Sequence, residues 1–558
     1  MAFDGIVTKS IISELNSYII GGKIKKIYQP DKDNILIGVY NNHNNYALNL
    51  SINANNYRIN ITTKIKQNPS TAPSFCMLLR KYLLGSNIIS IESFDLERIV
   101  EFTLLCYNQQ GEKVNYKLII ELMGKHSNII LLDENNIIID GLKHIQNSIR
   151  TIFPAKKYLY PTSKKLPFIK LIDFDEFFSM VSSSDVYTID KLLSDLFIGI
   201  SISFIQHILD KLEIKQIDRQ NLEKIYNYIK NIINSIGSDT LSCIKCNKND
   251  FTIDFKQKEN KLQINFFIDD YYYVKEEQEL FKNYKNSILK LILNNVKKLS
   301  TRLINIDKKL EECKDMDKYK LYGELLTTNL YKLKELNLSE IHLENYYDNN
   351  KLLTIPLDSS ISVNRNIEKY FKKYNKLKKT IQTVTEQKKE TAKELYYLQS
   401  IVYELEKANN IQDIDGIYTE ITESTNFIKK KKQNKTIKTD LHLNNILDFD
   451  IEGYKVLVGK NNKQNDYITF KLASPNDIWF HVKDIPGSHV ILKTQGKTIQ
   501  DNILLKCAKL AAEHSKAKES TSIQVDYTFR KNVKKQNKSK PGMVYYSNYK
   551  TIIVKQIQ

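Results

Sequence analysis

Two long runs of apolar residues, spaced alternately by four and by three, constrain this chain more than any other feature. Ile292, Val296, Leu299, Leu303, Ile306, Leu310 and Cys313 make the first, with Lys, Asn, Asp and Glu between them. Tyr374, Leu377, Ile381 and Val384 begin the second, which resumes after a polar break at Lys388 and Thr391 with Leu395, Leu398, Val402 and Leu405. Such spacing lays one narrow apolar stripe along a helix, and a stripe that narrow is buried against another helix. A stretch with turn signals of its own, LLTIPLDSSISVN, lies between the runs. The simplest fold is therefore an antiparallel coiled-coil hairpin within one chain; a coiled coil between two chains is the other arrangement that the pattern allows. Arms of roughly 40 residues at ~1.5 Å each would reach about 60 Å.

A hairpin accounts for only part of 558 residues. At ~100–200 residues per domain, the length calls for about three to five units. With 42% hydrophobic and 26% charged residues the chain has a globular composition, which excludes wholesale disorder. No apolar run approaches ~20 residues, and Asp4, Lys9 and Glu14 interrupt the start, so neither a membrane span nor a signal peptide is expected. Six cysteines are too sparse for a disulfide scaffold and point to a reducing compartment, the cytoplasm. Against 64 Asp and Glu stand 83 Lys and Arg, a formal charge of +19. That excess attracts polyanions, nucleic acid first and an anionic membrane surface second. Richness in Lys, Asn and Ile, the bias of an AT-rich genome, is another source of the same charge.

The rest of the chain divides by pattern into a multidomain α+β protein. Residues 1–165 alternate short Ile-, Val- and Tyr-rich runs with turn residues, as in KIKKIYQP, NILIGVY, YALNLSI, RIVEFTLLCY and NIILLD, and read as an antiparallel sheet system. Two helices interrupt it, about Thr8 to Ile20 and Ser74 to Leu84, the second starting after Pro73 and stopping at Gly85. Residues 166–245 turn helical, and two short helices meeting near Gly199 have the form of a helix-hairpin-helix. In that form backbone amides can approach phosphate, although a lone glycine with apolar flanks also serves ordinary helix packing. Residues 246–426 hold the coiled-coil hairpin with its flanks, and 427–444, with FIKKKKQNK, a basic linker. Residues 445–558 read as a small α+β domain, with strands YKVLVGK, YITFKL, DIWFHVKD, HVILK, SIQVDYT, MVYYS and TIIVK and an Ala-rich helix from Ile499 to Lys516.

The sequence has no GxxxxGK[ST] loop, no GxGxxG after a strand and no HExxH, so nucleotide-hydrolase, dinucleotide and zinc-protease readings lack their minimal parts. Cys243 and Cys246 form a lone CxxC without a second pair, and no metal or cofactor is expected. Asp4, the Phe94–Arg98 turn with Glu97 and Arg98, and the string from Glu121 through Lys125 and His126 to Ser127 put carboxylates and cations at strand ends. A carboxylate beside an arginine can orient it for bidentate recognition of phosphate or a base edge; the same residues also suit a salt-bridged strand corner. Trp479, His481, Lys483 and His489, around the DIPGS turn, are either RNA-contacting or packed core members.

At these residues the chain resembles the NFACT family of ribosome quality-control factors, which includes RqcH-type and NEMF-type members and whose bacterial forms older names call fibronectin-binding proteins. The resemblance runs through MAFDG, GGKIKKIYQP, FCMLLRKYLLG, IIELMGKHSNIILLD, LFIGIS, NIEKYFKKYNKLKK, VGKNNKQND, DIWFHVKDIPGSHV, DYT and KPG, in order along nearly the whole chain. It implies an N-terminal domain like that of formamidopyrimidine DNA glycosylases over 1–165, a helix-hairpin-helix-like domain, a coiled coil placed against the stalk base of the large ribosomal subunit, and a C-terminal RNA-binding-like domain. It further implies binding to large subunits that hold peptidyl-tRNA and a stalled nascent chain, recruitment of tRNA, alanine-specific in bacteria, and template-free tailing that marks the chain for degradation.

No catalytic residue and no DNA or membrane partner are implied. The family's Asp-Arg pair for tRNA maps onto Glu97 and Arg98, where Glu moves the charge outward by one methylene. Asp4 matches the family's N-terminal Asp, and Lys125 stands where relatives often carry Arg, losing the planar fork. Two rival readings come with the resemblance, a surface fibronectin-binding adhesin, which needs an export segment, and a DNA repair glycosylase, which needs an N-terminal proline where this chain has Met1-Ala2.

Overall fold

The structure, a computed structural model, describes residues 3–107, 111–146, 150–170, 173–182, 188–247, 250–256, 263–333, 338–425, 446–537 and 539–555. The expected basic linker at 427–444 lies outside the described residues. The chain is a multidomain α+β protein with two compact units, Met1–Glu279 and Leu280–Gln558.

In the first unit, α1 (Gly5–Ile19) is followed by β1 (Lys23–Asp31), β2 (Asn34–Asn41), β3 (Asn44–Ser51), β4 (Arg58–Ile61), α2 (Ser74–Leu83), β5 (Asn87–Glu92), β6 (Ile99–Tyr107), β7 (Lys113–Glu121), β8 (Asn128–Leu132) and β9 (Ile138–Gly141). These strands form one nine-stranded sheet in the order β4-β3-β2-β1-β5-β6-β7-β8-β9. Strand alternation feeds two cores. Val100, Phe102, Leu104, Leu118 and Ile120 join the large core under α1, while Ile99, Ile119 and Ile130 point the other way into a smaller cluster with Ile152 and Tyr158. A short hairpin, β10 (Ile145–Gln146) and β11 (Thr151–Ile152), precedes α3 (Phe174–Ser182), α4 (Ile189–Leu196), α5 (Ile202–Lys211) and α6 (Arg219–Asn234). The hairpin β12 (Leu241–Asn247) and β13 (Asp250–Phe255) spans the expected boundary between 245 and 246, with Cys243, Phe251 and Ile253 in the same large core as α5 and α6.

Helix α7 (Ile264–Glu312) carries the first apolar run into the second unit. There Ile292, Leu299, Ile306 and Cys313 are buried and Val296, Leu303 and Leu310 half-buried, the stripe their spacing requires. Next come α8 (Met316–Thr328), α9 (Leu330–Leu333) and a hairpin of β14 (Glu340–Asn345) and β15 (Lys351–Pro356), which share a small core. Helix α10 (Val363–Lys407) returns antiparallel to α7: Lys285 Nζ donates to Ala408 O at 3.1 Å near one end, and Lys388 pairs with Asp307 at 2.7 Å further along. Helix α11 (Ile411–Ser424) folds back on α10.

The last part holds β16 (Leu447–Ile451), β17 (Tyr454–Val458), α12 (Asn462–Tyr467), β18 (Ile478–Val482), β19 (Val490–Leu492), α13 (Asp501–Glu513), β20 (Ser522–Phe529), β21 (Val533–Lys534), β22 (Tyr545–Tyr546) and β23 (Lys550–Lys555). Six of these strands form a sheet ordered β16-β17-β19-β18-β20-β23. Small residues of α13, Cys507, Ala508 and Ala511, cover one face; Trp479, Ile491 and Leu457 look from the other onto Ile468 and Val533. YITFKL, expected as a strand, is instead the end of α12 and a π-helical turn over Ile468–Leu472. Asn461 starts it by accepting from Gln464 N–H at 2.8 Å, and burial of Ile468 and Thr469 holds it, so capping and packing override strand propensity.

A buried polar joint ties α10 and α11 to α12. Glu420 Oε1 accepts from Tyr397 OH at 2.9 Å and from Asn462 Nδ2 at 3.2 Å, and the same amide donates to Ser400 Oγ at 3.1 Å. Glu404 is buried beside it, and the second oxygen of each carboxylate has no hydrogen-bond partner among the described residues.

Candidate nucleic-acid interface

The site is built where the start of α1 meets the turn between α4 and α5. Asp4 is the N-cap of α1: its Oδ1 accepts from Val7 N–H at 3.0 Å. Its Oδ2 accepts from Ser201 Oγ at 2.6 Å, and Ser201 is itself the N-cap of α5, accepting from Phe204 N–H. One buried carboxylate thus joins the origins of two helices. Burial pushes its pKa up to about 6, against the opposing pull of Ser201, Val7 N–H and the nearby Arg98.

Backbone contact closes the joint. Gly5 N–H donates to Gly199 O at 3.0 Å. A Cβ on Gly5 would lie 1.9 Å from Leu96 O, and one on Gly199, whose φ is +75°, would lie 2.3 Å from the same oxygen. The glycines of MAFDG and LFIGIS therefore meet at the Phe94–Arg98 turn. Of the two roles open to Gly199 in the sequence, close packing is the one with direct geometric support.

Above this floor opens a pocket of about 430 Å³ whose lining includes Asp4, Glu97, Arg98, Lys165, Gly199 and Ser201. Asp95, at φ +50°, turns the chain so that Glu97 and Arg98 reach the rim half-buried. Arg98 Nη1 donates to Tyr57 OH at 3.2 Å, and its guanidinium lies 5.9 Å from the centre of the Tyr57 ring. Burial raises the Glu97 carboxyl, with Arg98 working against it. Lys165, exposed at the rim and within electrostatic reach of Glu97, donates to Ser194 O at 2.5 Å. Two cations, one rim carboxylate and a neutralisable carboxylate below suit recognition of a phosphate with an adjoining hydrogen-bonding group.

The structure brings Asp4, Glu97 and Arg98 together and leaves the other expected residues outside. Glu121 is 2% exposed on the reverse face of the sheet, held by Arg150 and by Tyr158 OH at 2.8 Å. Its carboxylate is spent inside the protein. Lys125 and His126 are exposed on the single helical turn Gly124–His126 and do not line the pocket, although Met123 just before them does. Sequence reasoning missed Tyr57, Lys165 and Ser201, which come from three distant segments and carry no local signal.

At the second expected site the interior wins. Trp479 is 0% exposed, stacked on His481 at 5.6 Å and edge-on to His489 at 5.2 Å. His489 is buried and its Nδ1 lies 2.8 Å from Thr469 Oγ1. Burial lowers both imidazoles, His481 to about 4 and His489 well below its usual value, so both are neutral at pH 7. Trp479 and His489 thus pack inside the domain against the sheet, and His481 and Lys483 are half-buried beside the turn. Among the described residues no cluster of three or more His, Cys, Asp or Glu could hold a metal ion, and no helix is long and apolar enough to cross a membrane.

A sheet-rich first unit, a pair of long antiparallel helices and a small terminal sheet domain define the class, and family comparison gives it a name. Residues 4–440 match the description "NFACT N-terminal and middle domains" and residues 446–548 "NFACT protein RNA binding domain". The chain belongs to the NFACT family. It is 34% identical over 573 aligned residues to the Rqc2 homolog RqcH of Bacillus subtilis, covering 99% of this chain and 98% of that one. To the human ribosome quality control complex subunit NEMF it is 24% identical over 250 residues, 42% of this chain and 22% of NEMF. Among solved structures, the fibrinogen binding protein from Staphylococcus aureus aligns with 49% of this chain and 99% of its own, at 28% identity and a TM-score of 0.42.

Proposed function

We propose that this protein is a cytoplasmic ribosome quality-control factor. It binds large ribosomal subunits that still hold peptidyl-tRNA and recruits tRNA, alanyl-tRNA in the first place, for template-free extension of the blocked chain, whose tail marks it for degradation. The observation that carries this reading is the 34% identity to an RqcH protein along 99% of the chain. The pocket supports it chemically. Arg98, steadied by Tyr57 and flanked by Glu97, and Lys165 form a rim suited to a tRNA backbone, with Asp4 fixing the floor. Peptidyl transfer belongs to the ribosome, so the chain acts as a translation factor and not as an enzyme. The +19 charge supplies attraction to rRNA, and the tip beyond the long helices, where Tyr347 and Leu352 are exposed, is the part that would reach the stalk base.

The test is gentle purification of tagged protein from its own cells at low salt, with sequencing of the RNA and identification of the proteins that accompany it. Large-subunit proteins with one enriched tRNA are expected. Arg98→Ala is expected to cut the co-purifying tRNA about tenfold or more while leaving the subunit proteins. Equal tRNA recovery from the variant would remove Arg98 from the site, and absence of ribosomal proteins from the wild-type sample would overturn the reading as a whole.

A further inference from the structure

The C-terminal sheet domain has a cavity of its own, whose lining does not include Trp479 or its histidines. Helix α13 covers only part of its sheet face, and the uncovered end is a pocket of about 520 Å³ between the first turn of α13, the loop before it and the end of β20. This volume lies within the ~300–1,000 Å³ range of small-molecule sites, large enough for one nucleotide and too small for a duplex.

The pocket is held in shape from below. Asp477 is buried and accepts from Thr494 N–H at 3.0 Å and Lys493 Nζ at 2.6 Å, while Thr494 Oγ1 donates to Asn476 O at 3.2 Å. The loop can then turn at Gln495 and Gly496, both with positive φ, and set Lys497 on the rim. On the opposite side Thr528 Oγ1 lies 3.0 Å from both Ser547 O and Asn548 O, fixing the segment that brings Asn548 and Lys550 to the lining.

Its chemistry is mixed in an informative way. Tyr527 and Phe529 stand two residues apart on β20 and so share a face. Tyr527 stacks on Phe480 with ring centres 5.6 Å apart, whereas Phe529 is 46% exposed, with the Lys531 ammonium 5.3 Å from its ring centre. Lys497 and Lys550 bring positive charge, and Asp501 and Asn548 bring acceptors and a donor. Cations alone would suit any anion. An aromatic wall, a cationic rim and an acidic and an amide group together suit a nucleotide, with the base on Phe529, its edge toward Asp501 or Asn548, and the flanking phosphates on the lysines.

We infer that this pocket receives a single unpaired nucleotide of RNA, extruded from a bulge or loop. The inference deepens the reading of the chain as a ribosome-bound factor and rests on it. Phe529 is a stacking platform; Lys497 and Lys550 hold phosphate.

The experiment uses the full chain and two RNA hairpins of equal length, one with a single bulged 4-thiouridine and one with the same base paired. Wild type is expected to bind the bulged hairpin at least about tenfold more tightly and to photocrosslink through the peptide containing Phe529. Phe529→Ala is expected to abolish the preference and Phe529→Trp to keep it. Lys497→Ala with Lys550→Ala is expected to weaken both RNAs and lower the slope of log affinity against log salt by about 2. Equal binding of the two hairpins by wild type, or an unchanged preference in Phe529→Ala, would overturn the pocket assignment. Sedimentation of the same proteins with large ribosomal subunits separates the two failures: loss of the bulge preference with wild-type co-sedimentation intact removes the pocket alone, and absence of co-sedimentation removes the ribosomal reading beneath it.

Discussion

Asp4 must cap α1, accept from Ser201 and remain buried at once. The charged form gains from the two hydrogen bonds and loses more by desolvation, so the folded carboxyl titrates at about 6 against an ordinary 3.8. A raised pKa means that the folded state binds the proton more tightly, so the stability linked to Asp4 is complete below pH ~4 and fades as pH rises through about 6. Asp4→Asn keeps the cap and is expected to flatten this dependence in denaturant titrations between pH 4 and 7; a slope equal to wild type would contradict it. Ser201→Ala, which strands Oδ2, is expected to cost about 1–3 kcal/mol at pH 7 by the same measurement. Gly199→Ala meets both a positive φ and Leu96 O, and is expected to cost about 2–4 kcal/mol.

The elements show how far a sequence can be read. The first sheet was legible because its strands alternate and end in turn residues, and Ser74–Leu83 because Pro73 and Gly85 bracket it. The segment Asn87–Glu92, by contrast, carries only a short, weak apolar pattern, yet it pairs along β6 between a helix end and a turn. YITFKL misleads because β-branched and aromatic residues serve any half-buried surface, and here the surface is a capped helical turn. The Asp4–Arg98 pocket was half legible: its charged residues stand out at strand ends, but Ser201 and Tyr57 look ordinary until folding brings them in. The joint of α10, α11 and α12 had no sequence signal either. There burial lifts Glu420 to about 7, and burial together with the Glu420 charge raises Glu404 well above the usual carboxylate range. By the same sign as Asp4, the joint loses stability as pH rises through about 7. Melting curves from pH 5 to 8 are therefore expected to show Glu420→Gln gaining on wild type as pH rises; parallel curves would mean that the pair stays protonated throughout.

At the scale of the molecule, family boundaries and compact units divide the chain differently. The RNA-binding-domain match begins at residue 446, yet Leu280–Gln558 is one compact unit in which Asn462 bonds Glu420. Truncation at 446 would thus strip a buried carboxylate of its amide partner as well as remove a domain, and charge substitution is the cleaner probe. The surplus of 83 cations over 64 anions makes a further prediction. Sedimentation with large subunits is expected to weaken by more than about tenfold between 50 and 200 mM salt, as phosphate contacts require. A salt-independent association would place binding on apolar or protein contacts instead.

The meeting of Gly5 with Gly199 also sets an order of events. Asp4 is synthesised before its hydroxyl partner, which follows 197 positions later. At ~5–20 residues per second, the start of α1 waits about 10–40 s for the turn that completes its cap. Until then the carboxylate has water in place of Ser201, and the acidic floor of the pocket does not exist. A nascent chain interrupted before residue 201 would therefore carry the sheet strands β1 to β9 but not the finished pocket, which is complete only once the turn leading into α5 has been made.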